Sequence, residues 1–234
     1  MTKYKRILLK LSGEALSGDS DSIFDFDFMK TVAKQIKRCK DEGVQVAIVI
    51  GGGNIWRGKT GTQITRTRSD NIGMLATTIN SLAMSACLED EGVSTAVMSG
   101  IQMDKIAPFY TAESAISNLE KGNVVIISCG SSNPFFSTDT AAVLRAAELC
   151  TDISLFAKNI DAVYTADPRK DANAVRLDRI TYDEILKNNL EAIDFTASAF
   201  GRENNLKILV FGLADPENIY RAACGEKLGT LIEK

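Results

Sequence analysis

The sequence predicts an α/β fold: a three-layer α/β/α sandwich with a largely parallel central sheet. Three observations carry this expectation. Short apolar runs rich in β-branched residues, such as Val44–Ile50 and Asn123–Cys129, recur along the chain and end at or beside glycine. Such runs mark strands buried on both faces. Amphipathic stretches with helical spacing separate them, so strands and helices alternate as in parallel sheets covered on both sides. No linker, repeat or low-complexity stretch interrupts the alternation over residues 1–234, which predicts a single domain.

The elements follow in order. Arg6–Leu11 reads as the first strand and runs into Ser12-Gly13-Glu14. Lys10 lies inside this apolar run; a lysine there either reaches an anion or snorkels to water, and the segment alone leaves both open. Ser17–Ser22 is a polar, acidic loop. Asp27–Glu42 reads as an amphipathic helix, apolar at Phe28, Met29, Val32, Ala33 and Ile36, capped by Asp27 and closed at Gly43. The strand Val44–Ile50 leads into Gly51-Gly52-Gly53, followed by a basic segment with Arg57, Lys59, Arg66 and Arg68 that closes on Asp70. From Ile72, apolar residues at 72, 75, 76, 79, 82, 83, 86 and 87 predict a helix that stops at Gly92. A strand over Ser94–Met98, a helix over Thr111–Leu119 and the strand Asn123–Cys129 come next.

The loop Ser131–Asp139 sets two adjacent aromatics, Phe135 and Phe136, among hydroxyl, amide and carboxylate groups at a strand end. Aromatics so placed stack on a base or dock into the core, and one of the two is expected to dock. Thr140–Leu149 reads as a helix of small residues, Ile153–Ala157 as a strand, and Lys158–Pro168 as a turn-rich connector. Thr181–Leu186 is a helix with Glu184 placed to complete a capping box on Thr181. A helix over Ala197–Asn204 preceded by Asp194, a strand over Lys207–Phe211, a helix over Glu217–Cys224 and a last strand over Gly229–Ile232 complete the chain.

Composition narrows the chemistry. With 45% hydrophobic and 24% charged residues, the chain can bury a sizeable core. A net charge of -3 argues against a dedicated nucleic-acid binder. No secretory apolar region follows Met1, and no apolar stretch reads as long enough to span a membrane. The five cysteines, at positions 39, 87, 129, 150 and 224, form no C-x-x-C pair, so neither a disulfide framework nor a zinc site is indicated and a reducing cytoplasm is expected. Histidine is absent, which excludes every mechanism built on imidazole.

The glycine run is the strongest local signal. Three glycines at the carboxyl end of a buried strand leave backbone bare for close approach to an anion, where ligands of open α/β sheets bind. Two motifs compete for it. The dinucleotide fingerprint fails because Trp56 stands where its third glycine belongs. Gly53–Thr60 matches the P-loop pattern G-x-x-x-x-G-K-T, with Lys59 as its phosphate lysine, but the polar, basic residues 61–69 replace the apolar helix that should follow.

Several loops together carry a family resemblance: Lys10-Leu11-Ser12-Gly13-Glu14, Gly51-Gly52-Gly53-Asn54, Arg57, Ser69-Asp70 with Gly73–Thr77, Asn133-Pro134-Phe135-Phe136-Ser137-Thr138-Asp139, and Tyr164-Thr165-Ala166-Asp167-Pro168. They resemble the bacterial uridylate (UMP) kinases of the amino acid kinase superfamily, over essentially the whole chain. The resemblance implies the amino acid kinase-like fold and transfer of the ATP γ-phosphoryl group to UMP. It implies that Lys10, Leu11, Ser12, Gly13, Gly53 and Arg57 contact ATP phosphates. Lys158, Asn159, Tyr164 and Asp167 would complete the ATP site. Gly52, Asp70 and Ser131, Ser132, Asn133, Pro134, Phe135, Phe136, Ser137 and Thr138 would hold UMP. Lys10, Arg57, Asp139 and Asp194 would be the catalytic set, the two aspartates positioning Lys10 and the phosphates. Magnesium would ride mainly on the nucleotide phosphates, with no protein ligand set. Self-association as a homohexamer is implied, with GTP as a candidate activator and UTP as a candidate inhibitor. The chain departs from its relatives at Phe156-Ala157-Lys158, which stands where Lys-Ala-Thr is usual, and in the glycine-poor loop Ser17–Asp25, which points to weak or absent GTP activation. A sister kinase acting on a carboxylate or carbamate, and a silent nucleotide sensor on the same fold, are the competing readings. The Asn133–Asp139 loop speaks against the first, and retention of Lys10, Asp70, Asp139 and Asp194 against the second.

Overall fold

A computed structural model describes residues 2–17, 22–57, 63–168, 170–171, 173–190 and 192–234. The elements run β1 (Arg6–Leu11), α1 (Phe26–Asp41), β2 (Gln45–Ile50), α2 (Arg66–Asp90), β3 (Thr95–Ser99), α3 (Ala112–Glu120), β4 (Val124–Ser128), α4 (Thr138–Glu148) and β5 (Ile153–Lys158). They continue with β6 (Val163–Tyr164), β7 (Arg176–Leu177), β8 (Arg179–Thr181), α5 (Tyr182–Asn188), α6 (Phe195–Glu203), β9 (Ile208–Gly212), α7 (Glu217–Ala223) and β10 (Thr230–Glu233). Eight strands form one sheet in the order β3-β4-β2-β1-β5-β9-β10-β8, and β6 and β7 form a separate hairpin. All neighbours in the large sheet are parallel except β9 and β10.

Strand side chains alternate faces, so each strand serves two cores. Ile7, Leu9 and Leu11 pack with Ile48, Ile126 and Leu155 under α1, α2 and α7. Leu8, Val49, Ile127, Phe156 and Val210 pack on the other face, with residues of α3, α4, α5 and α6. This parity decides the site. Lys10 shares the face of Leu8, and Lys158 shares the face of Phe156, so both lysines emerge on the α4 side of the sheet, on neighbouring strands whose register pairs Lys10 with Phe156.

Several boundaries differ from the sequence reading. The α1 cap is Asp25, whose carboxylate accepts from the Phe28 N–H at 2.9 Å; Asp27 lies inside the first turn. Helix α2 begins at Arg66, six residues before the apolar spacing starts, and its polar first turns are tied by an Arg66–Asp70 ion pair at 2.7 Å. By length and mean hydropathy (1.2 over 18 residues) α2 would suffice to cross a membrane, contrary to the sequence reading, but 56% of that window is buried within the protein, including Asn80 and Ser81. It is a core helix. Helix α4 starts at Thr138, capped by Ser137, so Asp139 is helical. The connector after β5 folds into the β6–β7 hairpin, and β8 is a further strand; both are too short for a periodic pattern to reveal. The capping box of Thr181 and Glu184 is formed as expected.

Candidate functional site

The carboxyl ends of β1, β2, β4 and β5 open on one edge of the sheet, and the loops leaving them build the site. After β1 the chain turns at Ser12 into a short 3-10 turn, Gly13–Ser17, while Gly51 extends the ladder by donating its N–H to Leu11 O at 3.0 Å. The two loops touch so closely that a Cβ on Gly13 would collide with the Gly51 carbonyl oxygen. A Cβ on Gly52 would lie 2.8 Å from Gly73 O of α2. Glycine is therefore required at both positions by the approach of neighbouring backbone. Gly53 lies beside Glu14, whose Oε1 would be 3.0 Å from an added Cβ. Glu14 also pairs with Arg57 at 2.5 Å, so one carboxylate links Arg57 to the neighbourhood of Gly53.

Asp139 joins the strand ends to the helix layer. Its Oδ1 is 3.0 Å from Lys10 Nζ and its Oδ2 is 2.9 Å from Lys158 Nζ, and Lys158 also donates to Ala192 O at 2.6 Å. Burial by itself would raise the Asp139 pKa, but the two ammonium groups outweigh it and hold the carboxyl well below the usual carboxylate range. Burial pushes Lys158 below the ordinary lysine value, with Asp139 opposing. Asp194 takes a different place from Asp139. Its carboxylate accepts from Ser137 Oγ, from Thr140 Oγ1 at 3.0 Å and from the Ala197 N–H at 2.9 Å, so it caps α6 and locks the start of α4. Both aspartates line a cavity of about 400 Å³ beside α5 and α6, with Ile185, Asn189, Leu190 and Phe195 also in its wall.

The loop after β4 faces α2. Cys129, Gly130, Ser132 and Phe135 all adopt left-handed backbone, with φ of 64°, 56°, 66° and 72°. Three of the four are not glycine, a costly conformation that persists only where the surroundings fix it. The fixing contacts are visible. The Cys129 N–H donates to Thr77 Oγ1 at 2.8 Å, Arg145 donates to Gly130 O at 3.2 Å, and the Phe135 N–H donates to Asp70 Oδ2 at 2.7 Å. Ser131 bonds within the loop, its hydroxyl accepting from the Asn133 N–H at 3.3 Å. Phe135 and Phe136 are both exposed, at 66% and 49%, so the expectation that one docks into the core is overturned. The Phe135 backbone lies against Asp70, and the Arg66 guanidinium lies over the Phe135 ring, 5.4 Å from its centroid.

The structure thus brings together Lys10, Leu11, Ser12, Gly13, Gly52, Gly53, Asp139 and Lys158 at the strand ends. It sets Asp70 against the Ser131–Thr138 loop. Lys158 belongs with Lys10 and Asp139, while Phe156 is fully buried in the core. Tyr164 lies in the β6–β7 hairpin and donates to Asp161 at 3.0 Å, and Asp167 faces Lys170 at 3.8 Å. Lys59, and with it Gly58 and Thr60 of the P-loop pattern, lies outside the described residues, as do residues 18–21 of the loop Ser17–Asp25. Sequence reasoning missed the tie of Lys158 to Asp139, although equal strand parity of two lysines was a signal for it. It also missed Asn80 and Arg145, polar groups buried in α2 and α4, and it read Thr77 only within the stretch Gly73–Thr77.

A glycine loop packed against the turn after β1, a carboxylate clamped by two lysines and a helix start locked beside them define a class. The chain belongs to the amino acid kinase family, whose sequence model matches residues 5–212. Among solved structures it is similar to UMP kinase from Bacillus anthracis, with 36% identity, 98% of this chain and 96% of that one covered, and a TM-score of 0.94. It is likewise similar to UMP kinase from Ureaplasma parvum, with 38% identity, 99% and 100% covered, and a TM-score of 0.93. Uridylate kinase from Archaeoglobus fulgidus is 26% identical with a TM-score of 0.76 over 99% and 100% of the two chains.

Proposed function

We infer that this protein is a UMP kinase: it transfers the γ-phosphoryl group of ATP to UMP, reversibly, giving UDP and ADP for pyrimidine nucleotide biosynthesis. The observation that carries the reading is the bond from the Phe135 N–H to Asp70, which closes the Asn133–Asp139 loop over α2 opposite the phosphate loop. On this reading the loop is the acceptor site, where two exposed aromatic rings and amide and hydroxyl groups would read a base.

The chemistry needs no general base. The acceptor is a phosphate oxygen, already anionic at neutral pH, so catalysis rests on in-line positioning and neutralisation of charge. Lys10 leaves the end of a buried strand with its ammonium held by Asp139, a preorganised donor for the migrating phosphoryl group. Asp139, kept ionised by its two lysines, holds both ammonium groups at that place. Asp194 fixes the amino end of α4, whose dipole favours anionic ligands, by gripping Ser137 and Thr140. The backbone at Gly52 and Gly53 offers N–H donors, and Arg57 adds a cation at the mouth. Magnesium enters as part of the substrate, on the ATP phosphates. The donor set suits that arrangement, because both oxygens of Asp139 and of Asp194 are engaged by the protein and the described residues contain no group of three or more acidic, cysteine or histidine ligands. The ATP base and ribose would lie toward Asn159, Tyr164 and Asp167. The chain acts as one domain over 1–234, in the cytoplasm, and assembles as a homohexamer through the exposed stripe Ile72, Leu75, Ile79 and Leu82 of α2. GTP is expected to activate weakly or not at all, with UTP as the candidate inhibitor.

The test is release of ADP from ATP and magnesium with a panel of acceptors. UMP should be the preferred acceptor and dUMP, CMP and AMP much poorer, because a site that bonds a base edge rejects analogues that leave its polar groups unpaired. Equal turnover of CMP would sink the claim of uracil selectivity, and turnover of a carboxylate or carbamate in place of UMP would transfer the protein to a sister activity.

A further inference from the structure

Helix α2 carries one residue whose chemistry the mechanism above does not use. Asn80 is fully buried, an amide in the interior of the molecule. Its Nδ2 donates to Gly51 O at 2.6 Å and to Asn54 Oδ1 at 2.7 Å. Asn54 answers by donating its own Nδ2 to Asn80 Oδ1 at 3.1 Å and to Ile23 O at 3.0 Å. A buried amide with this many partners is costly to misplace and therefore specifies geometry.

What it specifies is a peptide orientation. The bond between Gly51 and Gly52 joins two glycines, so side-chain sterics do not decide which way that peptide unit faces. The unit before it is set by the ladder bond from the Gly51 N–H to Leu11 O at 3.0 Å. The unit after it is set by Gly52 O, which accepts from the Ile55 and Trp56 N–H groups at 3.0 and 2.9 Å. Between these anchors, the Gly51 carbonyl is caught between Gly13, which has no room for a Cβ, and the Asn80 amide. A peptide is planar and trans, so its N–H points opposite its C=O. With the carbonyl turned into the core toward Asn80, the Gly52 N–H is turned away from the core, out at the carboxyl end of β2.

We propose that Asn80 is a positioning residue for phosphoryl transfer: its side-chain amide holds the Gly51–Gly52 peptide so that the Gly52 N–H faces the phosphate of the acceptor nucleotide. The proposal rests on the reading of this site as that of a UMP kinase. It predicts that loss of the Asn80 donor leaves the peptide free to turn and presents a carbonyl oxygen, in part of the population, to an anionic ligand.

The experiment compares Asn80→Ala and the near-isosteric Asn80→Asp with Ser81→Ala. Ser81 is equally buried in the next position of α2, but among the described residues its hydroxyl bonds within the helix alone, to Thr77 O at 2.8 Å. All three variants lose a buried hydrogen bond, so all three are expected to melt at lower temperature. Assayed well below those melting points, Asn80→Ala should lower kcat by about tenfold or more, as loss of a preorganised donor does. The KM for ATP should stay within about threefold, and Ser81→Ala should keep kcat within about twofold of the parent. In protein labelled with 15N-glycine, UMP should shift the Gly52 amide resonance in the parent and in Ser81→Ala, and shift it far less in the Asn80 variants. A kcat for both Asn80 variants within twofold of Ser81→Ala, or an unchanged Gly52 response to UMP, overturns the proposal. If Asn80→Ala does not fold, Asn80→Asp alone decides by the same two measures. A parent enzyme that binds UMP but does not phosphorylate it would defeat the functional reading instead, and the amide response would still report on Asn80.

Discussion

Replacing Lys10 by alanine removes the cation nearest the strand end while leaving a second one in place. In the parent, Asp139 is shared between Lys10 at 3.0 Å and Lys158 at 2.9 Å. Stripping a buried carboxylate of its sole partner costs about 3–5 kcal/mol, because the charge is left uncompensated. Here Lys158 remains, so the stability cost should fall below that range and the fold should persist. Turnover has no such reserve. Lys158 is held by Asp139 and by Ala192 O at 2.6 Å, which keeps its ammonium on the helix side. Loss of one preorganised donor aimed at developing charge costs roughly a hundredfold to a thousandfold in kcat, about 2.7–4 kcal/mol. The assay is ADP release at saturating ATP and UMP, with circular dichroism and a thermal melt on the same samples. Lys59→Ala serves as the comparison and should change turnover by less than about tenfold, roughly 1.4 kcal/mol. An active Lys10→Ala beside a dead Lys59→Ala would return the phosphate lysine to the P-loop pattern and refute the mechanism.

Four further outcomes are expected. Burial lowers the Lys158 pKa, so kcat should begin to fall on the alkaline side at a pH below that at which an ordinary lysine loses its proton, and Lys158→Arg should move that limb upward if it retains activity; a limb unmoved in an active Lys158→Arg refutes the assignment. Asp139 works with the opposite sign: its pKa is depressed in the folded state, so its stabilising contribution is complete above the unfolded value of about 3.9 and is lost only as pH falls below it, which a series of thermal melts in acid would record. On the surface of α2, Leu75 and Ile79 are 51% and 48% exposed, so Leu75→Glu or Ile79→Glu should lower the particle mass seen by light scattering, and a parent already monomeric at micromolar concentration refutes the hexamer. At the start of α5, Thr181→Ala breaks the capping box and should cost about 1 kcal/mol of stability without changing kcat, a shift of a few degrees in melting temperature.

The sequence by itself determined the alternation of buried strands and amphipathic helices, the bare glycine backbone after β2 and the absence of imidazole, because each is a local property of residue type and spacing. It determined the family as well, since the loops that carry the resemblance are contiguous. The convergence of Lys10, Lys158 and Asp139 was decided in the tertiary structure: residues 10, 139 and 158 meet only because strand parity puts both lysines on one face and α4 crosses that face with Asp139 in its first turn. The same holds for Asp70, which reads as the end of a basic segment but works as a helix residue bonded to a loop 65 positions away. Asn80 shows why such groups escape a reading by pattern. Apolar periodicity identifies the buried stripe of a helix, but it cannot say which buried polar group has a partner, since that partner, here the Gly51 carbonyl, comes from another element. Strand β10 makes the same point for topology: its residues read as one more strand, and only its packing beside β9 fixed that it runs antiparallel.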